Sequence, residues 1–151
     1  FFFLMIMRSS RTIESRSSAA SDLYKRQEKI YKQHGNYKIF YTAFTSSFIE
    51  PDIAVANNIV RGKGKGLVNI SVMEDLAIGV PSIVTGRVFN MLQQSQALEF
   101  VAIKEQRSLY YLAPFEFEDA EYLTFKITVK PNDGSRSYDY DFKFQKKMYH
   151  D

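Results

Sequence analysis

Cysteine and tryptophan are absent from this sequence, histidine occurs only twice and proline four times. Without cysteine there is no disulfide, no zinc–thiolate centre and no thiol nucleophile. Without either residue, the Cys…Trp…Cys hallmark of true immunoglobulin domains is missing too. The two histidines, His34 and His150, lie near the margins of the expected domain, which leaves little for a Ser-His-Asp site or a histidine metal centre. No apolar run is long enough to span a bilayer. The opening run Phe1–Met7 offers seven residues, against about 20 for a helical span.

Acidic charge is scarce at the start of the chain. Between residues 8 and 34, seven Arg and Lys face only Glu14, Asp22 and Glu28, a net of about +4 within a total of +3. Residues 35–151 are therefore close to neutral, near −1. Nucleic-acid binding by that part is not expected, because phosphate neutralisation needs a concentrated basic face. The chain opens without a methionine, as expected of a segment whose true start lies upstream. Phe1–Met7 resembles the end of a signal-peptide apolar core, and Ser18-Ala19-Ala20 offers small residues for cleavage after Ala20. The polar, basic tract from Arg8 to Ser17 separates the two, so the fit is loose. Residues 21–34 could form a short helix stopped by Gly35, or a solvated linker.

What is abundant is aromatic: 13 Phe and 10 Tyr. They fall in a period of two. Tyr138, Tyr140, Phe142 and Phe144 alternate with Asp139, Asp141, Lys143 and Gln145, which gives one dry and one wet strand face. The same alternation predicts strands over 37–44, 66–73, 82–92, 96–105, 108–114 and 123–130, the third and fourth as a hairpin across Gln93-Gln94-Ser95. Asp133-Gly134 supplies a tight turn before the last strand. The spacing predicts an all-β fold, a seven-stranded antiparallel β-sandwich of immunoglobulin-like architecture. Pro51 at a helix start and Asn57-Asn58 near its end predict one short helix between the first two strands. The expected organisation is an N-terminal extension over 1–34 and a β domain over 35–151.

Gly35-Asn36-Tyr37, Tyr41, Ala43-Phe44, Ser46, Phe48 and Pro51 resemble the opening signature of the bacterial domain-of-unknown-function 4426 family. Arg61 and the tract Gly66-Leu67-Val68-Asn69-Ile70-Ser71-Val72 are similar to its second signature. Gly86, Leu98-Glu99-Phe100, Tyr110-Tyr111-Leu112-Ala113 and Phe144-Gln145-Lys146 fit as well, and the match covers about residues 33–151. The resemblance implies a small β domain of Gram-negative bacteria, usually behind a signal peptide and therefore periplasmic. It implies no activity.

Candidate chemistry is sparse. Arg61-Gly62-Lys63-Gly64-Lys65-Gly66 could hold an anion on glycine N–H groups and lysines, but it lacks the Ser or Thr and the following helix of a nucleotide P-loop. Glu116, Glu118, Asp119 and Glu121 could supply an acid–base pair for glycoside cleavage if two stood about 5–9 Å apart, or could simply be charged edge positions. They show no calcium-loop spacing. Tyr110-Tyr111 places adjacent rings on opposite strand faces, which suggests an exposed ring for stacking on a sugar or a partner. The candidate ligand-binding residues are therefore Arg61, Lys63, Lys65, Tyr110 and Tyr111, with no catalytic residue, metal ligand or cofactor assigned. The function expected is a non-enzymatic accessory or binding module of the envelope, engaging a protein partner or an anionic ligand. The alternatives are a hydrolase of glycans or phosphoesters using the 116–121 carboxylates, and a structural subunit pairing through an exposed strand edge.

Overall fold

The computed structural model describes residues 31–74, 78–105, 108–132 and 139–150. The signal-like run, the Ala20 cleavage site, residues 21–30 of the expected helix and the Asp133-Gly134 turn lie outside the described residues.

The chain is mostly β, in two antiparallel sheets. The first holds β1 (Tyr31–His34), β2 (Tyr37–Thr45), β3 (Lys65–Glu74), β8 (Ser108–Glu116) and β7 (Val101–Glu105) in that spatial order, with the short β4 (Ile78–Gly79) on β3. The second runs β10 (Tyr140–Met148), β9 (Glu121–Pro131), β5 (Ser82–Phe89), β6 (Ser95–Leu98). One core fills the space shared by their inner faces. Ile39, Val68, Ile70 and Val72 come from the first sheet, and Val84, Val88, Phe125, Ile127 and Phe142 from the second. Phe125 stacks on Phe144 at 4.7 Å between ring centroids and meets Phe115 edge-on at 5.2 Å. Aromatic pairs of this kind add about 0.5–1.5 kcal/mol beyond the area they bury.

The sheets differ in how they are covered, and the sequence explains why. On β9, Leu123, Phe125, Ile127 and Val129 are buried while Lys126 and Lys130 are exposed, so its outer face meets water. On β3, every residue from Gly66 to Met73 is buried, as expected where both faces of a strand are covered. The outer cover is the connection between β2 and β3. It contains a 3-10 turn (Ser46–Phe48) and helix α1 (Pro51–Ala56), which pack Ile49 and Ala54 on Leu67 and Leu112. Pro51 stands in the first turn of α1, and Asn58 (φ 56°) follows its end. The expected short helix is present between the expected strands.

Three expectations change. The described residues hold ten strands where seven were predicted. Tyr31–His34 form β1 rather than the end of a helix, hairpinned to β2 through Gly35, whose φ of 60° suits a two-residue loop. The predicted strand 96–105 is two strands in different sheets. Its first part pairs with β5 and its second with β8, and the chain crosses between sheets at Glu99-Phe100. Both parts are apolar enough to read as one run, so the crossing leaves no mark in the pattern.

Candidate binding groove

The connection after β2 is folded back on itself by its own polar groups. The buried Ser46 hydroxyl accepts the Gly62 N–H at 3.1 Å, and Arg61 Nη2 donates to the Ser47 carbonyl at 3.0 Å. Arg61, predicted as an anion ligand, therefore closes the base of this connection. Lys65 pairs with Glu116, which stands directly opposite it in the β3–β8 register. The hydrogen bond and the charge of Lys65 hold the Glu116 carboxyl below the usual carboxylate range. Lys63 is exposed on the turn between them.

Next to this ion pair a groove of about 470 Å³ opens on the outer face of the first sheet. Leu67 and Leu112 form its buried floor. Ile59 and Val60, just after α1, make one wall, and Val101 and Ile103 of β7 make the other. Val60 and Val101 are both well exposed, so the lips are apolar and open to solvent. Behind this floor, on the core side of the sheet, a Cβ on Gly66 would stand 2.3 Å from the Phe115 ring, which lies across it from the neighbouring strand. At the polar end, Gln96 reaches from the second sheet to bracket Glu116. Its Nε2 donates to the Glu116 carbonyl at 2.7 Å and its Oε1 accepts the Glu116 N–H at 2.9 Å. Sequence reasoning pointed to Lys65 and to this connection, but missed Gln96, Val60 and Val101, which belong to no motif.

The two tyrosines are placed otherwise than predicted. Tyr110 is 2% exposed and Tyr111 8%. Tyr111 faces the shared core, and its hydroxyl accepts the Ser82 N–H at 2.7 Å. Burial pushes the Tyr110 hydroxyl up from its ordinary value, against a hydrogen bond with Ser108 that pulls it down. Neither ring is available to a ligand, because β8 is an interior strand of a sheet covered on both sides.

The acidic tract closes the β8–β9 connection. Glu121 Oε1 accepts the Glu118 N–H at 3.0 Å, and Asp119 Oδ1 accepts the His150 N–H at 2.8 Å, with Ala120 between them at φ 57°. Glu116, Glu118 and Glu121 nonetheless share a cleft of about 580 Å³ with His150, whose Nε2 lies 3.1 Å from the Phe117 carbonyl. His34 packs on Tyr140, at the other end of β10 from His150, roughly 27 Å away by strand rise. A two-histidine metal pair is thereby ruled out. Among the described residues, no three His, Asp or Glu side chains are grouped to hold a metal ion.

A DUF4426 family protein from Pseudomonas aeruginosa PAO1 has a similar structure, with a TM-score of 0.71 at 30% identity, covering 80% of this chain and 94% of that one. FetP of uropathogenic Escherichia coli strain F11, recombinantly expressed in the periplasm of E. coli BL21(DE3), shares the fold at a TM-score of 0.57 and 9% identity, over 80% of this chain and 93% of its own. A copper-bound variant of FetP is similar at 0.56 and 9%, over 80% and 94%. No curated protein matches the chain significantly. The family model for the domain of unknown function DUF4426 matches residues 31–151, and the chain belongs to that family.

Proposed function

We propose that this chain is a non-enzymatic binding module of the bacterial envelope, whose groove receives an extended apolar segment of a partner protein. The observation that carries this reading is a buried apolar floor between exposed apolar lips, closed at one end by the Lys65–Glu116 pair. Sites of this composition hold a ligand by apolar burial and orient it with a few polar groups. β7 is the terminal strand of its sheet and forms one wall. A segment in the groove runs beside a strand edge able to take main-chain hydrogen bonds, which joins the strand-edge alternative to the same site.

In this reading the protein works in the periplasm, with the segment before β1 as an export and linker extension and residues 31–151 as a sandwich of immunoglobulin-like general architecture. The family resemblance and the recombinant periplasmic expression of FetP support that placement. The copper of the FetP variant is not carried over, because the side chains that could hold a metal ion are not grouped among the described residues.

The hydrolase reading keeps one observation in its favour, the cleft shared by three carboxylates and His150. Lys65 favours the ionised form of Glu116, which suits it poorly to act as the acid and leaves Glu118 or Glu121 for that role. Turnover of a glycan or phosphoester that disappears in Glu118→Gln and Glu121→Gln would favour it. The groove is tested by Val60→Asp and Val101→Asp in a strain lacking the gene. Both proteins should accumulate and melt like the parent yet fail to restore the deletion phenotype. Full complementation by both would refute the groove.

A further inference from the structure

The outward face of the second sheet carries charge in an arrangement that a lone sheet disfavours. Lys143 on β10, Lys126 on β9 and Arg87 on β5 occupy directly opposed register positions, so three cations form one row across three strands. Neighbouring strands lie about 4.8 Å apart, and like charges directly opposite each other destabilise a sheet. Lys130 and Lys147 stand on the same face, and Asp141 is the one carboxylate in its strand positions. The face thus concentrates about +4 in a domain whose total is near −1. Among the described residues, the contacts that Arg87, Lys126 and Lys147 make are with neutral groups. Arg87 donates to the Ser95 hydroxyl at 3.0 Å, Lys126 lies 4.7 Å from the centre of the Phe89 ring and Lys147 lies 5.6 Å from that of Tyr149, while Asp141 is bonded to Thr128.

One end of this face is apolar. The β5–β6 hairpin projects Met91, 73% exposed, and Leu92, 78% exposed. Its tip is well held: Asn90 Oδ1 accepts the N–H groups of Leu92 and Gln94, each at 3.0 Å, and Gln93 adopts φ 64°. Two large apolar side chains are therefore presented outward on a rigid turn. Tyr122 and Tyr149, both exposed, lie at the same end of the sheet, where β5, β9 and β10 reach Phe89, Thr124 and Gln145. The cationic row follows one two-residue step further in, roughly 7 Å along the strands.

We infer that this face and its hairpin tip form a docking surface for an anionic lipid bilayer. Apolar tip, tyrosines and cations follow in the order in which a bilayer presents acyl chains, interface and phosphates. A nucleic acid or an acidic polysaccharide would engage the cations and leave the Met91-Leu92 tip without a counterpart. A row of cations across neighbouring strands also complements an array of phosphates. The inference does not depend on the groove, which lies on the other sheet.

The test is sedimentation of the full chain with vesicles of phosphatidylglycerol and phosphatidylcholine in equal parts, and with phosphatidylcholine alone. Binding should require phosphatidylglycerol and weaken with salt. Lys126→Gln with Lys143→Gln should lower it roughly 25-fold, about fivefold per charge removed. Met91→Ser with Leu92→Ser should lower it at every salt concentration. Lys63→Gln with Lys104→Gln, an equal loss of charge elsewhere, should change it much less. Without vesicles, Lys126→Gln should melt no lower than the parent, because it relieves repulsion across the row. Equal losses in the two lysine pairs would overturn the assignment. So would binding that ignores the hairpin tip, or a face that retains an acidic polysaccharide but no vesicle.

Discussion

Gly66 and Phe115 show how the absence of one side chain makes room for another in the shared core. The Phe115 ring occupies the space where any residue other than glycine would place its Cβ, 2.3 Å from ring carbon. Gly66→Ala must therefore displace a buried ring that also meets Phe125 edge-on. Overpacking of this kind costs about 1–3 kcal/mol, so the melting temperature should fall by several degrees. An unchanged melting curve would mean that the ring is not fixed over Gly66. The Gly-Lys repeat that includes Gly66 was visible in the sequence, but its reason was not. Glycine there looked like freedom for a ligand to approach, whereas Gly66 admits a neighbouring aromatic ring and Arg61 ties the connection to Ser47. Chemistry was expected of residues that the fold spends on its own closure.

The elements were legible where one face was wet. Along β9 and β10 the alternation of apolar and polar residues follows inside and outside, and Pro51 with Asn57-Asn58 marked α1. Legibility failed where both faces are covered. Tyr110 and Tyr111 point to opposite sides of β8, and nothing local says that both sides are dry. It failed again at Glu99-Phe100, where an apolar run changes sheets without changing its period.

β10 carries a further device. It is the edge of its sheet, and Lys146 follows Phe142 and Phe144 on the inward face and donates to the Ala43 carbonyl of β2. Inward charges on edge strands discourage pairing with other chains. Desolvation of the ammonium pulls the Lys146 pKa below its ordinary value, although much of the residue remains in contact with solvent, so the effect on stability is modest. The folded state thus disfavours the charged form. Its penalty is present at neutral pH and fades as pH rises through the lowered folded value towards the ordinary lysine range. Lys146→Met should raise the melting temperature at neutral pH, by a margin that shrinks in alkali. A margin independent of pH would show that the charge is not the cause.

At the scale of the molecule, the two sheets share a core and divide the surface. The first is roofed by the β2–β3 connection, which leaves an apolar groove beside an ion pair. The second is bare, with basic side chains on its outer face. Among the described residues, no helix is long and apolar enough to cross a membrane. The groove could not be read from the chain because its lips, Val60 and Val101, come from opposite walls and meet only through the β3–β8–β7 register. Photocrosslinking in living cells tests the groove most directly, with the reactive residue placed at Val60, at Val101 or at Ile83 on the outer face of the second sheet. The account predicts one discrete protein adduct from Val60 and the same adduct from Val101, both lost in Lys65→Glu, and no protein adduct from Ile83. Silence from both groove positions, or the same adduct from Ile83, would contradict it.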